Sequence, residues 1–571
     1  MQTQTQTQTQ TQTVTHADRR LAWEGFCTGP QVLSGAQLDA LATRLLGLDR
    51  AGVEAAARTE LVPYPAARGA VPAIVLGSAT TLKKCYEADV AHLVEGTPPD
   101  DFATYMEARS VHLAAPGDLT VGRTEPWRQA VAGSTAEPVE VPELDHYYLT
   151  HALLTLAAQS PPDAPAAPLA RLLRQLRQSP GTIVRLFALD PEARVLLLWL
   201  KRTAGLERLR VDANGQEVAE RWNRKTTLYP TVEEAAELPP PAAADPYELL
   251  AAEARRTPFT REFGVLLPRL PGYSVTRAGA DAAVLRRRVH GAARLLRERY
   301  GLPLGCFKPA EALTGSRIRT GVPLDDPAAL DALARQAMET EEDYVLEAHT
   351  DYLRHSVEGY EFILAPSTHV VAGELAEGGT VQITRGSVWE GSVYVDEETC
   401  GRFGIDPEVF RGVRAGMAGL LGAFEGGGRS LGFVKGGVDF AIARIGGRFG
   451  DTPVVGMQDL NLSSNGAEYV RAFLAQAREA HGGDRRIYAA TKVVRPVPGT
   501  DLRRLKAAAE EDAPGRWTRV LTSVPGCWGM VGVAGPCPRQ AAEDVLALEQ
   551  RLHTAGLLRT SLRQAPEPCG A

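Results

Sequence analysis

Apolar and polar positions follow two different rhythms along this chain. From Leu21 to about Leu238, short apolar runs alternate with stretches of helical periodicity, and Ala73-Ile-Val-Leu76 and Val195-Leu-Leu-Leu-Trp-Leu200 read as the clearest buried strands. Strands separated by helices predict a parallel sheet. After Pro246 an Arg-rich helix is expected over Ala282–Tyr300, followed by the apolar strand Leu304-Gly-Cys-Phe-Lys308-Pro309. A helix from Pro327 to about Glu339 and the strand Asp343-Tyr-Val-Leu-Glu347 come next. Beyond them, the short alternating segments Glu361–Leu364, Val381–Thr384 and Ser392–Val395 predict an antiparallel sheet.

Two Pro/Ala-rich stretches interrupt this pattern, Ser160–Pro168 and Pro239–Pro246. The second is the better boundary, because its three consecutive prolines cannot donate to a ladder and stiffen the chain. The expected division is a Gln/Thr tail over 1–20, an N-terminal unit over 21–238, a second over 246–494 and a C-terminal extension over 495–571. The alternating Gln and Thr of residues 2–13 carry almost no apolar content, so a disordered tail is expected there. In the extension, Arg519–Val524 reads as a strand and Gln540–Leu552 as an amphipathic helix, without indicating a role.

Composition narrows the function classes. A chain of 571 residues is too long for one core and implies about three or four structural units. The net charge of −7 arises from 62 basic and 69 acidic residues spread along the chain, with no polybasic stripe for nucleic acid. There is no apolar run of about eighteen residues and no signal-peptide pattern at Met1, so no membrane partner and a cytoplasmic location are expected. The seven cysteines lack a CxxC pair and read as reduced thiols, although Cys527, in Pro525-Gly-Cys527-Trp-Gly529, is a candidate nucleophile in a turn.

Several residues could carry chemistry. Lys308 ends an apolar strand before a loop containing Thr314, Gly315 and Ser316, where small residues can let backbone N–H groups approach phosphate oxygens, or is simply a surface lysine before a turn. Glu347 ends a buried strand and Glu361 opens another; a carboxylate there can accept from ribose hydroxyls, or can simply be a solvated strand end. Asp439 sits inside the apolar strand Val438–Ile442, where a carboxylate is costly without a cation or hydrogen bonds. Asp459 and Asn461 occupy positions i and i+2 of a strand and so share a face. Two carboxylates and an amide of this kind suit one or two Mg²⁺ ions, or Mn²⁺, held against phosphates. Arg385 is a cation on the antiparallel sheet, suited to a transferring phosphoryl group or to an ordinary surface position.

Read in order, Phe307-Lys308-Pro309, Thr314-Gly315-Ser316, Tyr344-Val-Leu-Glu347, Gly359-Tyr-Glu361-Phe, Gly437-Val-Asp439-Phe and Asp459-Leu-Asn461 resemble the nucleotide site of the ATP-grasp superfamily. The resemblance covers roughly residues 225 to 480. It implies a mixed α/β and α+β multidomain protein, with a parallel pre-ATP-grasp domain followed by an ATP-grasp fold built on antiparallel sheets. On that resemblance Lys308 touches nucleotide phosphates, and Lys225 in Asn223-Arg-Lys225 is similar to the family's earlier lysine. Glu347 opens the adenine hinge, Glu361 binds the ribose, and Asp439, Asp459 and Asn461 ligate the metal, with Asp459 where the family more often has glutamate. Ser463, Ser464 and Asn465 stand where relatives contact the acceptor, or form a solvated loop.

The chemistry implied is ATP-dependent carboxylate–amine ligation through an acylphosphate, forming an amide or peptide bond, with Lys308 and Arg385 neutralising charge. Small-molecule acid and amine substrates, an amino acid or peptide, would be the partners, and a homodimer is open. Two alternatives stand beside this reading: a non-catalytic nucleotide-binding scaffold of the same shape, and a phosphotransferase that leaves phosphate on its product.

Overall fold

The computed structural model describes Trp23 and residues 26–560, apart from 79–82, 143–144, 162–163, 312–316, 387 and 514–515. Its N-terminal unit is built on six parallel strands: β1 (Leu61–Pro63), β2 (Ala73–Leu76), β3 (Leu119–Gly122), β4 (Glu137–Glu140), β5 (Ile183–Leu186) and β6 (Leu209–Asp212), in the order β1-β6-β5-β2-β3-β4. Helices cover its faces, as a sheet buried on both sides requires.

One of those helices corrects the sequence reading. Val195–Leu200 is not a strand but the middle of the helix Pro191–Ala204. Asp190 caps it by accepting from Ala193 N at 3.0 Å, Pro191 opens it, and Gly205 closes it at φ 77°. Val195, Leu196, Leu197, Leu198 and Leu200 are all buried, because further helices surround this one against the sheet. A helix enclosed on every side has no polar stripe, so its periodicity cannot be told from that of a buried strand.

A second sheet follows: β7 (Gly272–Val275), β8 (Leu304–Pro309), β9 (Arg319–Pro323) and β10 (Tyr344–Ala348), antiparallel in the order β7-β10-β8-β9. The expected helices Ala282–Tyr300 and Pro327–Thr340 pack on it over a shared core that includes Leu296, Phe307 and Tyr344.

The third sheet is the largest. It contains β11 (Asp351–Tyr352), and, after the separate hairpin of β12 (Arg354–Val357) and β13 (Tyr360–Ile363), β14 (Pro366–Val371), β15 (Glu374–Arg385), β16 (Val388–Val395), β17 (Gly436–Arg444) and β18 (Val454–Asn461). It continues without a break through β19 (Tyr488–Val494), β20 (Glu511–Ala513), β21 (Arg516–Ser523) and β22 (Gly529–Gly535), so the stretch set apart as a C-terminal extension supplies strands of this sheet. The expected strand Arg519–Val524 overlaps β21, which ends at Ser523, and the expected helix Gln540–Leu552 lies within the helix Pro538–Thr554.

The N-terminal unit is fastened to the large sheet by a buried asparagine. Asn214 Nδ2 donates to Lys435 O (2.7 Å) and Leu462 O (2.8 Å), while its Oδ1 accepts from Val434 N (2.8 Å) and Lys435 N (2.9 Å). These contacts fix the segment entering β17 and the segment leaving β18. Asn214→Ala leaves these backbone groups buried and unpaired, with an expected loss of about 3 kcal/mol in denaturant unfolding, far more than a surface Asn→Ala change.

Candidate active site

The order of the strands brings scattered residues into one cavity of about 1120 Å³, between the four-stranded sheet and the large one. Its floor carries the predicted metal motif. In the β17–β18 ladder Asp439 stands opposite Asp459 and Gly437 opposite Asn461, with a register slip just past Asp439. Asn461 Nδ2 donates to Asp439 Oδ2 at 3.0 Å, and Ser367 on β14 donates to Asp439 Oδ1. Burial pushes the Asp439 carboxyl up to about 6, Asp459's charge adds to this, and hydrogen bonds from Ser367 and Gln382 oppose it.

The residues present fit Mg²⁺. Two carboxylates face each other, Asp439 is held above its usual range partly by its neighbour's charge, and all the oxygen donors are hard ones. No group of three or more His, Cys, Asp or Glu converges to hold a metal among the described residues, so a third protein ligand would be the Asn461 amide oxygen.

Both predicted lysines line this cavity. Lys225 opens the turn Lys225–Leu228, its N–H donates to Ala310 O (3.1 Å), and its Nζ lies 2.9 Å from Asp459 Oδ1. In the β8–β10 ladder Lys308 faces Val345 and Glu347 faces Cys306, which sets Lys308 and Glu347 two places apart on one face. They form a buried ion pair. Burial disfavours the charged amine, but the Glu347 carboxylate outweighs it and holds Lys308 well above the usual lysine range. Glu347 also accepts from the Tyr229 hydroxyl, so its side chain is fully engaged. The segment following it, including His349 and Tyr352, is what lines the cavity.

Glu361 is exposed on β13 and lines the cavity, as does Arg385 at the end of β15. Arg385 is not free: Glu390 holds its Nε at 3.0 Å, and Glu390 in turn receives Lys492 at 3.0 Å. Ser463, Ser464 and Asn465 also reach the lining. Ser463 donates to Ser464 O (3.2 Å), Ser464 to Glu468, and Asn465 caps the helix Gly466–Ala480 by accepting from Ala467 N (3.0 Å). Thr314, Gly315 and Ser316 lie outside the described residues.

Cys527 does not line this cavity. Its thiol contacts Pro99 O at 3.5 Å, and burial pushes its pKa far above the usual thiol range, the reverse of an activated nucleophile. Ser367 and Gln382 were missed by sequence reasoning. Gln382 Nε2 donates to Ser367 Oγ (3.3 Å), which holds Asp439, but β14 and β17 are far apart in the chain and neither residue belongs to a motif. No helix among the described residues is long and apolar enough to cross a membrane.

No protein-family profile matches the chain, and no curated protein is significantly similar to it. Solved structures are similar to it only at low identity and low TM-score. An ADP complex of purK, N5-carboxyaminoimidazole ribonucleotide synthetase, is 12% identical over 86% of this chain and 99% of its own, with a TM-score of 0.41. The D-cycloserine synthetase DcsG is 13% identical over 71% and 99%, with a TM-score of 0.31. A protein assigned to the ATP-grasp superfamily from Archaeoglobus fulgidus is 15% identical over 38% and 59%, with a TM-score of 0.20. All of these TM-scores lie below 0.5, and the likeness carries no activity or substrate across.

Replacing one of two opposed carboxylates separates binding from stability. Asp439→Asn is expected to raise the metal-free unfolding free energy by about 1–2 kcal/mol, because it removes a partly desolvated charge facing Asp459. Where Mg–ATP raises the melting temperature of the unaltered protein, the same change is expected to abolish that rise. Differential scanning fluorimetry with and without Mg–ATP reads both effects.

Proposed function

We propose that the protein is an ATP-dependent carboxylate–amine ligase of the ATP-grasp kind. The observation that carries this reading is the convergence of Lys225, Lys308, Asp439, Asp459 and Asn461 on one cavity, although they come from four separate stretches of chain. Two cations and an oxygen-rich metal motif in one open cleft match the needs of phosphoryl transfer, in which the protein mainly positions groups and neutralises charge.

The residues divide the work by place. Lys225, already 2.9 Å from Asp459, can bridge that carboxylate and a phosphate oxygen. Lys308, kept charged by Glu347, presents a fixed cation from β8. Glu361 on the hairpin would accept from ribose hydroxyls, and Arg385, braced by Glu390, lines the same cavity. Mg²⁺ held by Asp439, Asp459 and Asn461 would neutralise the phosphate charge that builds up during transfer.

The reaction balances as follows. A substrate carboxylate oxygen forms a bond to the γ-phosphorus while the bond to the β,γ-bridging oxygen breaks and ADP leaves. An amine nitrogen then bonds to the acyl carbon, loses a proton, and phosphate departs with the former carboxylate oxygen. That oxygen makes the reading testable. Pooled amino acids and small peptides are expected to give Mg²⁺-dependent ADP release only when acid and amine are both present, and ¹⁸O from the carboxylate is expected in the released phosphate. ADP release with phosphate retained on the product would indicate a phosphotransferase, and nucleotide binding without ADP release from any mixture would indicate a scaffold.

A further inference from the structure

Arg109 is a buried guanidinium without a carboxylate partner among the described residues. It lies at the end of the helix Phe102–Ser110, is only 5% exposed, and lines the cavity from the N-terminal unit together with Phe102 and Phe187. Its neighbours are two tyrosines, which reach it with both ring and hydroxyl: the guanidinium carbon is 4.9 Å from the centre of Tyr105 and 4.4 Å from that of Tyr469. Nη2 contacts the Met106 sulfur at 2.7 Å, and the buried Nε has no hydrogen-bond partner among the described residues.

The buried Arg123 and Arg185 have carboxylate partners, and a third buried arginine, Arg269, keeps Nε and Nη2 without a hydrogen-bond partner among the described residues but does not line the cavity. Arg123 pairs with Glu107 (3.4 Å), Arg185 with Asp212 (2.6 Å), and Arg269 donates to the carbonyls of Leu270 and Gly272. Glu468, whose charge reaches Arg109, is bound instead by Ser464 and by Lys435 at 3.4 Å. A desolvated cation held by two tyrosines and a thioether is costly until an anion completes it.

The wall beside it points the same way. The first residues of the helix Gly466–Ala480 line the cavity, so the positive end of its dipole is turned toward that space. A Cβ on Gly466 would come within 2.1 Å of the Trp389 ring, so the helix end and the indole close together with no room for a side chain between them.

We propose that Arg109 receives an anionic group, a carboxylate or a phosphate, carried by a substrate at the end remote from its reacting carboxylate or amine. This deepens the ligase reading and rests on it for the identity of the reacting end. A carboxylate or phosphate can take two parallel N–H donors from one guanidinium, and the aromatic walls exclude the water that would compete. The substrate class is therefore an acid or amine with a second, anionic terminus.

Isothermal titration of the full-length protein, with and without saturating Mg–ADP, tests this with glutarate and glycerol 3-phosphate as separate probes. At least one is expected to bind, and which one identifies the group. R109M is expected to weaken that binding about tenfold or more while leaving Mg–ADP affinity unchanged. If R109M does not fold, R109Q gives the same comparison. Binding of neither probe to the unaltered protein, or equal binding by the variant, would overturn the assignment. Arg109-dependent anion binding by a protein that does not bind Mg–ADP would instead remove the ligase reading and leave the subsite standing.

Discussion

Everything at the proposed site depends on two carboxylates held face to face across β17 and β18. The register that opposes Asp439 to Asp459 places like charges together in a partly desolvated space, which is unfavourable unless something offsets it. The protein provides partial compensation. Ser367 and Asn461 donate to Asp439, and Lys225 approaches Asp459. With Lys225 paired to Asp459 alone, the two carboxylates keep a net negative charge, which is what the proposed divalent cation would offset. The strands are also kept from relaxing away, because Asn214 grips the chain before β17 and after β18, and Asn223 accepts from Leu462 N at 2.8 Å.

The same sheet explains why the last part of the chain is inseparable from the site. Lys492 on β19 is fully buried between Glu390 (3.0 Å) and Glu549 (2.9 Å), the latter on the helix Pro538–Thr554. Glu390 also holds Arg385, so a continuous line of alternating charge runs from the C-terminal helix to the cavity. Buried ion pairs of this kind are weak sources of net stability, because desolvation offsets most of the attraction. What they fix is direction: a guanidinium braced by a carboxylate that is itself braced keeps one orientation.

Much of this was legible from residue patterns, and the failures have physical reasons. The strand carrying Lys308, the helices Ala282–Tyr300 and Pro327–Thr340, and the strands of the metal motif follow local rules of periodicity and capping. The helix Pro191–Ala204 misled because it is enclosed on all sides and shows no polar stripe. Ser367, Gln382 and Arg109 could not be found because their importance lies in pairings between distant segments, and a lone serine, glutamine or arginine in a sequence carries no signal of its surroundings. Glu347 was legible in position, but its engagement by Lys308 and Tyr229 depends on ladder register and on a tyrosine more than a hundred residues away.

The central claim is that Asp439 and Asp459 together bind the cation that accompanies a nucleotide. Anomalous scattering from crystals grown with Mn²⁺ and a non-hydrolysable ATP analogue tests it most directly. Manganese is expected about 2 Å from oxygens of both aspartates, with the analogue's phosphates completing its coordination. Nucleotide and manganese bound elsewhere, or phosphates in the cavity with no metal between the two carboxylates, would contradict it.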